Sequence, residues 1–150
     1  MRYLGIDYGA KRIGVAISDE DGKMAFPHKV LSNDKKLLEA VQEICKEQKV
    51  RTIIMGESKD FDGRPNPIAK KIEEFKQTLE KLTRKRVEYE PEFLTSVQAA
   101  RRQFRRPESS RGSGLRAERR RADDMLDASA AAIILQSYLD GKRNRELPSN

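Results

Sequence analysis

Residues 2–17 set the tightest limits on what this chain can fold into. Arg2-Tyr3-Leu4-Gly5-Ile6-Asp7 is an extended apolar run ending in a carboxylate; Tyr8-Gly9 begins a turn, and Ile13 to Ile17 is a second run without charge. Runs of this kind predict strands that are central in a sheet. Asp7 therefore stands at the end of a central strand. An unpaired carboxylate is costly there and calls for a metal, a cation or a hydrogen-bond network. Such a placement is typical of a metal-dependent phosphoryl-transfer site. The plainer reading is a hairpin whose turn Asp7 caps, with Gly9 at positive φ.

The rest of the chain supplies the other layers. Strands are predicted over 2–8, 12–18 and 23–31, with a turn at Asp21-Gly22 between the last two. Leu37, Leu38, Val41, Ile44 and Cys45 recur at helical spacing, which predicts a helix over 34–49 with Cys45 in the core. A short buried strand follows over 51–56. Pro67 suits the first turn of a helix capped by Asn66, with Ile68, Ile72, Phe75, Leu79 and Leu82 as its apolar stripe. A fifth strand over 87–90, a helix over 95–103 and a last helix over 123–139 complete the pattern. This is an α/β chain: a mixed five-stranded sheet, three antiparallel strands then parallel ones, flanked by helices. At 150 residues it is expected to form one domain over 1–140, with 141–150 as a disordered tail. A single cysteine excludes an internal disulfide, and no uncharged apolar run reaches about 18 residues. Those features predict a cytoplasmic protein without membrane attachment.

The net charge of +7 gains meaning once it is located. Between Arg101 and Arg121 stand nine Arg, no Lys, and only Glu108 and Glu118, while the remaining charges cancel. Arg101, Arg102, Arg105, Arg106, Arg119, Arg120 and Arg121 dominate the segment, and Pro107 to Gly114 within it reads as a mobile loop. Exclusive use of Arg points to bidentate phosphate contacts more than to solubility. The expected partner is a polyanion, and nucleic acid is the first choice.

Phosphodiester hydrolysis needs an activated water and a sink for charge on the leaving oxygen. Mg²⁺ or Mn²⁺ on several carboxylates supplies both, commonly as two ions about 4 Å apart. The ligands must come from different elements meeting at one sheet end. Asp7, Glu92 just past strand five, and Asp127 in the last helix meet that requirement. Asp127 shares a helix face with Ala130, Ala131 and Ile134, whose small alanines allow close packing on a sheet. Asp124, one turn earlier, is an auxiliary ligand or, like Asp123, an acid stabilising a helix N-terminus. Glu57 is a reserve ligand, and Asp60 and Asp62 read as loop acids. His28 has no second His or Cys nearby, which argues against zinc.

These residues resemble the YqgF/RuvX family of the RNase H-like superfamily, related to Holliday-junction resolvases. The resemblance rests first on Leu4-Gly5-Ile6-Asp7-Tyr8-Gly9-Ala10-Lys11-Arg12-Ile13-Gly14-Val15-Ala16. Val50 to Gly56 with Asp62-Gly63, Leu94-Thr95-Ser96 with Ala99, and Asp127-Ala128-Ser129-Ala130-Ala131 through Leu139 extend it to about residue 140. It implies an RNase H-like fold and a nuclease of the 5′ end of pre-16S ribosomal RNA. It also implies Asp7, Glu92 and Asp127 as the carboxylate triad, with Lys11 and Arg12 beside the substrate phosphate. Two departures stand out. Pro91-Glu92-Phe93 replaces the family's usual Asp-Glu-Arg, and Gly56-Glu57-Ser58 replaces its Gly-Leu-Pro.

The expected function is a metal-dependent endonuclease on structured RNA, with a branched-DNA resolvase as the chemical twin. A non-catalytic RNA-binding or assembly module is the rival from another class. An actin-like nucleotide-binding lobe fits poorly, since one lobe of 150 residues lacks the second phosphate loop.

Overall fold

The computed structural model describes the backbone of residues 1–56, 67–90 and 113–146, and their side chains except at 67, 68, 113–124 and 126. The chain runs β1 (Arg2–Tyr8), β2 (Arg12–Ser18), β3 (Ala25–Ser32), α1 (Leu37–Glu47), β4 (Val50–Gly56), α2 (Pro67–Thr83), β5 (Arg86–Glu90) and α3 (Ser113–Glu146). Strand order is β3-β2-β1-β4-β5, so the first strand in sequence is the middle one in space. β1–β2 and β2–β3 pair antiparallel, whereas β1–β4 and β4–β5 pair parallel. The expected mixed sheet is the one that forms. The expected Asn66 cap and the helix over 95–103 lie outside the described residues.

Alternation along the strands divides the core in two. Leu4, Ile6, Ile13, Val15, Ile53 and Met55 point to the face covered by Val41, Ile44 and Cys45 of α1 and Ile72, Phe75 and Leu79 of α2. Tyr3, Ala16 and Ile54 point to the opposite face, under Ala130, Ala131, Ile134, Leu135 and Leu139 of α3. Cys45 is buried as expected, and that burial pushes its thiol pKa up to about 11.

Four expectations are corrected. Leu82 is 49% exposed, so the apolar stripe of α2 ends at Leu79; the helix stops at Thr83 and Arg84 turns to φ 55°. Gly9 does not adopt positive φ; among the glycines Gly22 does, at 68°. Gly9 is required for a different reason, since a Cβ there would lie 2.5 Å from the carbonyl oxygen of Arg12. The last helix begins at Ser113 instead of 123, because Leu115-Arg116-Ala117-Glu118-Arg119-Arg120-Arg121 is built from strong helix formers despite its charge. It also continues to Glu146, through much of the expected tail. Lys142–Glu146 at 3.9 Å and Arg143–Asp140 at 3.6 Å brace that last stretch, where Gly141 is the weak helix former.

Candidate active site

Asp7 is the last residue but one of β1 and is 9% exposed. It pairs with Gly14 of β2, and directly opposed residues of an antiparallel pair share a face. That face is the one α3 covers. At Gly14 the helix touches the sheet: an added Cβ would lie 1.9 Å from the carbonyl oxygen of Asp127 and 3.2 Å from the nitrogen of Ala128. No side chain fits in that space. Gly14 therefore lets the helix backbone at Asp127 rest directly on the strand beside Asp7. Further along, Gly5 lies under Ala131 and Leu135, and Gly56 under Ile134. Along this face the helix also buries the small residues Ala128, Ala130 and Ala131.

The carboxylate of Asp127, 16% exposed, receives Nε of Arg12 at 3.2 Å. Arg12 opens β2 two residues from Gly14, so strand alternation puts it on the same face as Asp7. The resemblance implies a place for Arg12 beside a substrate phosphate; in the structure its guanidinium faces Asp127. Lys11, by contrast, is exposed at the turn. That turn is braced by Asn33, which no motif or spacing singles out. Asn33 donates its side-chain amide to the carbonyls of Gly9, at 2.9 Å, and Ala10, at 3.3 Å, and its backbone N–H to that of Lys11, at 3.0 Å. On the other face, the Tyr8 ring packs 5.2 Å from that of Phe75 and anchors the strand end that carries Asp7.

A second residue is invisible to local pattern. Glu90 ends β5 opposite Gly56, and the register Ile6–Met55–Tyr89 puts Asp7, Gly56 and Glu90 in one row across the sheet. Only the pairing of β5 with β4 reveals this, since in sequence Glu90 is one acid among several. Glu92, Glu57 and the arginines at 101, 102, 105 and 106 lie outside the described residues. Asp124 and Arg119–Arg121 fall on α3, their side chains outside the described set. Among the described residues no three His, Cys, Asp or Glu side chains converge as a metal-binding group. The donors this face carries, the carboxylates of Asp7 on β1 and Asp127 on the helix seated against Gly14, are hard oxygens of the kind Mg²⁺ or Mn²⁺ takes. No helix among these residues is long and apolar enough to cross a membrane.

A family model described as RuvX, Holliday junction resolvase, matches residues 1–141. The chain belongs to the RuvX family. A relative from Syntrophomonas wolfei is 36% identical over 143 residues, covering 94% of this chain and 95% of its own. Another, from Caldanaerobacter subterraneus, is 37% identical over 149 residues, covering 96% and 99%. Both are named "Putative pre-16S rRNA nuclease". Solved structures extend the likeness beyond RuvX sequences. RuvC of T. thermophilus in complex with a Holliday junction substrate superimposes with a TM-score of 0.56 at 18% identity, over 95% of this chain and 96% of that one. The Fowlpox virus resolvase in complex with junction DNA gives 0.52 at 14%, over 95% and 99%. At such identities the likeness is one of fold: the RNase H-like sheet of the RuvC type.

Proposed function

We propose that this chain is a metal-dependent endonuclease that hydrolyses phosphodiester bonds at the 5′ end of pre-16S ribosomal RNA, in the cytoplasm. The observation that carries it is the seating of Asp127 beside Asp7 by Gly14, in a chain of the RuvX family. Asp7, Glu92 and Asp127 are the proposed ligands of two Mg²⁺ or Mn²⁺ ions, with Asp124 as an auxiliary. An ion held by these residues would supply a more acidic water and a sink for charge on the leaving oxygen. The chain's own residues do the rest. Burial of Asp7 keeps its carboxylate at one position, and the helix-on-glycine contact fixes the depth of Asp127. Lys11 and the arginines at 101, 102, 105, 106, 119, 120 and 121 hold the flanking phosphates.

The names of the relatives favour RNA, and the description of the family model favours branched DNA. A single experiment separates them. Labelled pre-16S 5′-leader RNA and a four-way DNA junction are incubated with wild type and Asp7→Asn, in Mn²⁺, Mg²⁺ or EDTA. We expect the RNA to be cut, EDTA to stop the reaction, and Asp7→Asn to lower the rate by at least about a hundredfold. Cutting of the junction alone would transfer the proposal to DNA. Salt-sensitive binding with no cutting, by folded protein, would replace it with a binding module.

A further inference from the structure

Arg12 and Asp127 form an ion pair at the centre of the proposed site. The side chains are 37% and 16% exposed, so the pair is partly withdrawn from water and its attraction less screened than at an open surface. An oxygen of Asp127 that accepts from a guanidinium has its charge offset and a lone pair engaged. A divalent cation approaching the same carboxylate meets a fixed positive charge beside it.

We propose that Arg12 is a resident counter-ion of Asp127 that competes with the divalent metal, and so sets the metal concentration at which the site fills. The inference rests on the metal-nuclease reading and gives Arg12 a role toward the metal in place of the simple phosphate contact. The fold explains why this arginine is available for it. Gly14 brings the backbone of Asp127 onto β2, and Arg12, two residues earlier on the same face, is thereby within reach of its carboxylate. With metal absent, Arg12 offsets the charge of the partly buried Asp127 carboxylate. With metal bound, the pair must loosen, and that loss is subtracted from metal affinity.

The test is a titration of the protein with MnCl₂, following the electron paramagnetic resonance signal of free Mn²⁺. Wild type, Arg12→Gln, Arg12→Lys, Asp127→Asn and Arg12→Gln/Asp127→Asn are compared, each confirmed as folded by its urea transition. Arg12→Gln should bind Mn²⁺ about tenfold more tightly than wild type, a coupling of ordinary size between two sites. Arg12→Lys, which retains the charge, should stay near wild type; Arg12→Met, which removes it, serves if Arg12→Gln does not fold. In the Asp127→Asn background the Arg12→Gln change should have no effect. Equal or weaker Mn²⁺ binding by Arg12→Gln would overturn the proposal while leaving the nuclease reading intact. Tightening that persists without Asp127 would overturn it too, since Arg12 would then act through its general field. Absence of saturable Mn²⁺ binding in every variant would overturn both this proposal and the metal-nuclease reading.

Discussion

Gly14 and Asp127 are distant in sequence and in contact in space, and the contact is between backbones. With 1.9 Å between a notional Cβ and the Asp127 carbonyl oxygen, Gly14→Ala has to push α3 outward. Overpacking of this kind costs about 1–3 kcal/mol, which a urea titration reads directly. Gly5→Ala meets Leu135 and Ala131 at 2.7 and 2.8 Å and should destabilise in the same way. The two differ at the site. Gly14→Ala moves the residue that carries a carboxylate, so it should weaken Mn²⁺ binding about tenfold or more at matched folded fraction, whereas Gly5→Ala should change it little. Equal Mn²⁺ affinity in the two variants would mean that Gly14 is a packing residue alone.

Each layer of the molecule is fastened by a distinct set of contacts. α1 and α2 hold the sheet through aliphatic packing on Leu4, Ile6, Val15, Ile53 and Met55. α3 holds the opposite face with smaller residues and adds polar ties. Tyr138 is one, its hydroxyl kept protonated above the ordinary range by burial first and by its hydrogen bond to Glu88 second. Gln136 is another: its oxygen accepts from the N–H of Ala25 at 2.9 Å, and its nitrogen donates to the carbonyl of Lys23 at 3.0 Å. These bonds bind the start of edge strand β3 to the helix, where Pro27 and Lys29 already discourage pairing with another chain. Gln136→Ala leaves both backbone groups without this partner and should cost about 1–2 kcal/mol. Hydrogen exchange would locate the effect, with faster exchange at Ala25 and little change in β1. Uniformly faster exchange across the sheet would show that α3 depends on Gln136 as a whole.

Over the whole molecule the charge is lopsided, with all of the net +7 between Arg101 and Arg121. If that segment holds the nucleic acid backbone, affinity must fall steeply with salt, because each neutralised phosphate releases a counter-ion. Replacing Arg101, Arg102, Arg105 and Arg106 by Gln should flatten the dependence of log affinity on log salt by roughly 0.7–0.9 for each phosphate no longer neutralised. Fluorescence anisotropy of labelled leader RNA across a salt series measures this slope. An unchanged slope would assign those arginines to another role. If cutting by a metal site and holding by the arginines are separable, the quadruple variant should recover activity at low salt.

Sequence determined the layers. Uncharged runs such as Ile13 to Ile17, the helical spacing of Val41, Ile44 and Cys45, and the small-residue face after Asp127 report burial, and burial is local information carried by side-chain chemistry. Asp7 is legible for the same reason, as an acid where the pattern demands an apolar residue. Where neighbouring propensities compete, local pattern misleads: the arginine-rich stretch 115–121, left outside the predicted helix over 123–139, belongs to α3. Tertiary structure alone decided which groups meet. The parallel register that aligns Glu90 with Asp7, the hold of Asn33 on the β1–β2 turn, and the pairing of Arg12 with Asp127 depend on strand order and helix depth. Those are set by contacts between residues far apart in the chain, and Gly14, which carries no side chain, governs the depth at which Asp127 rests.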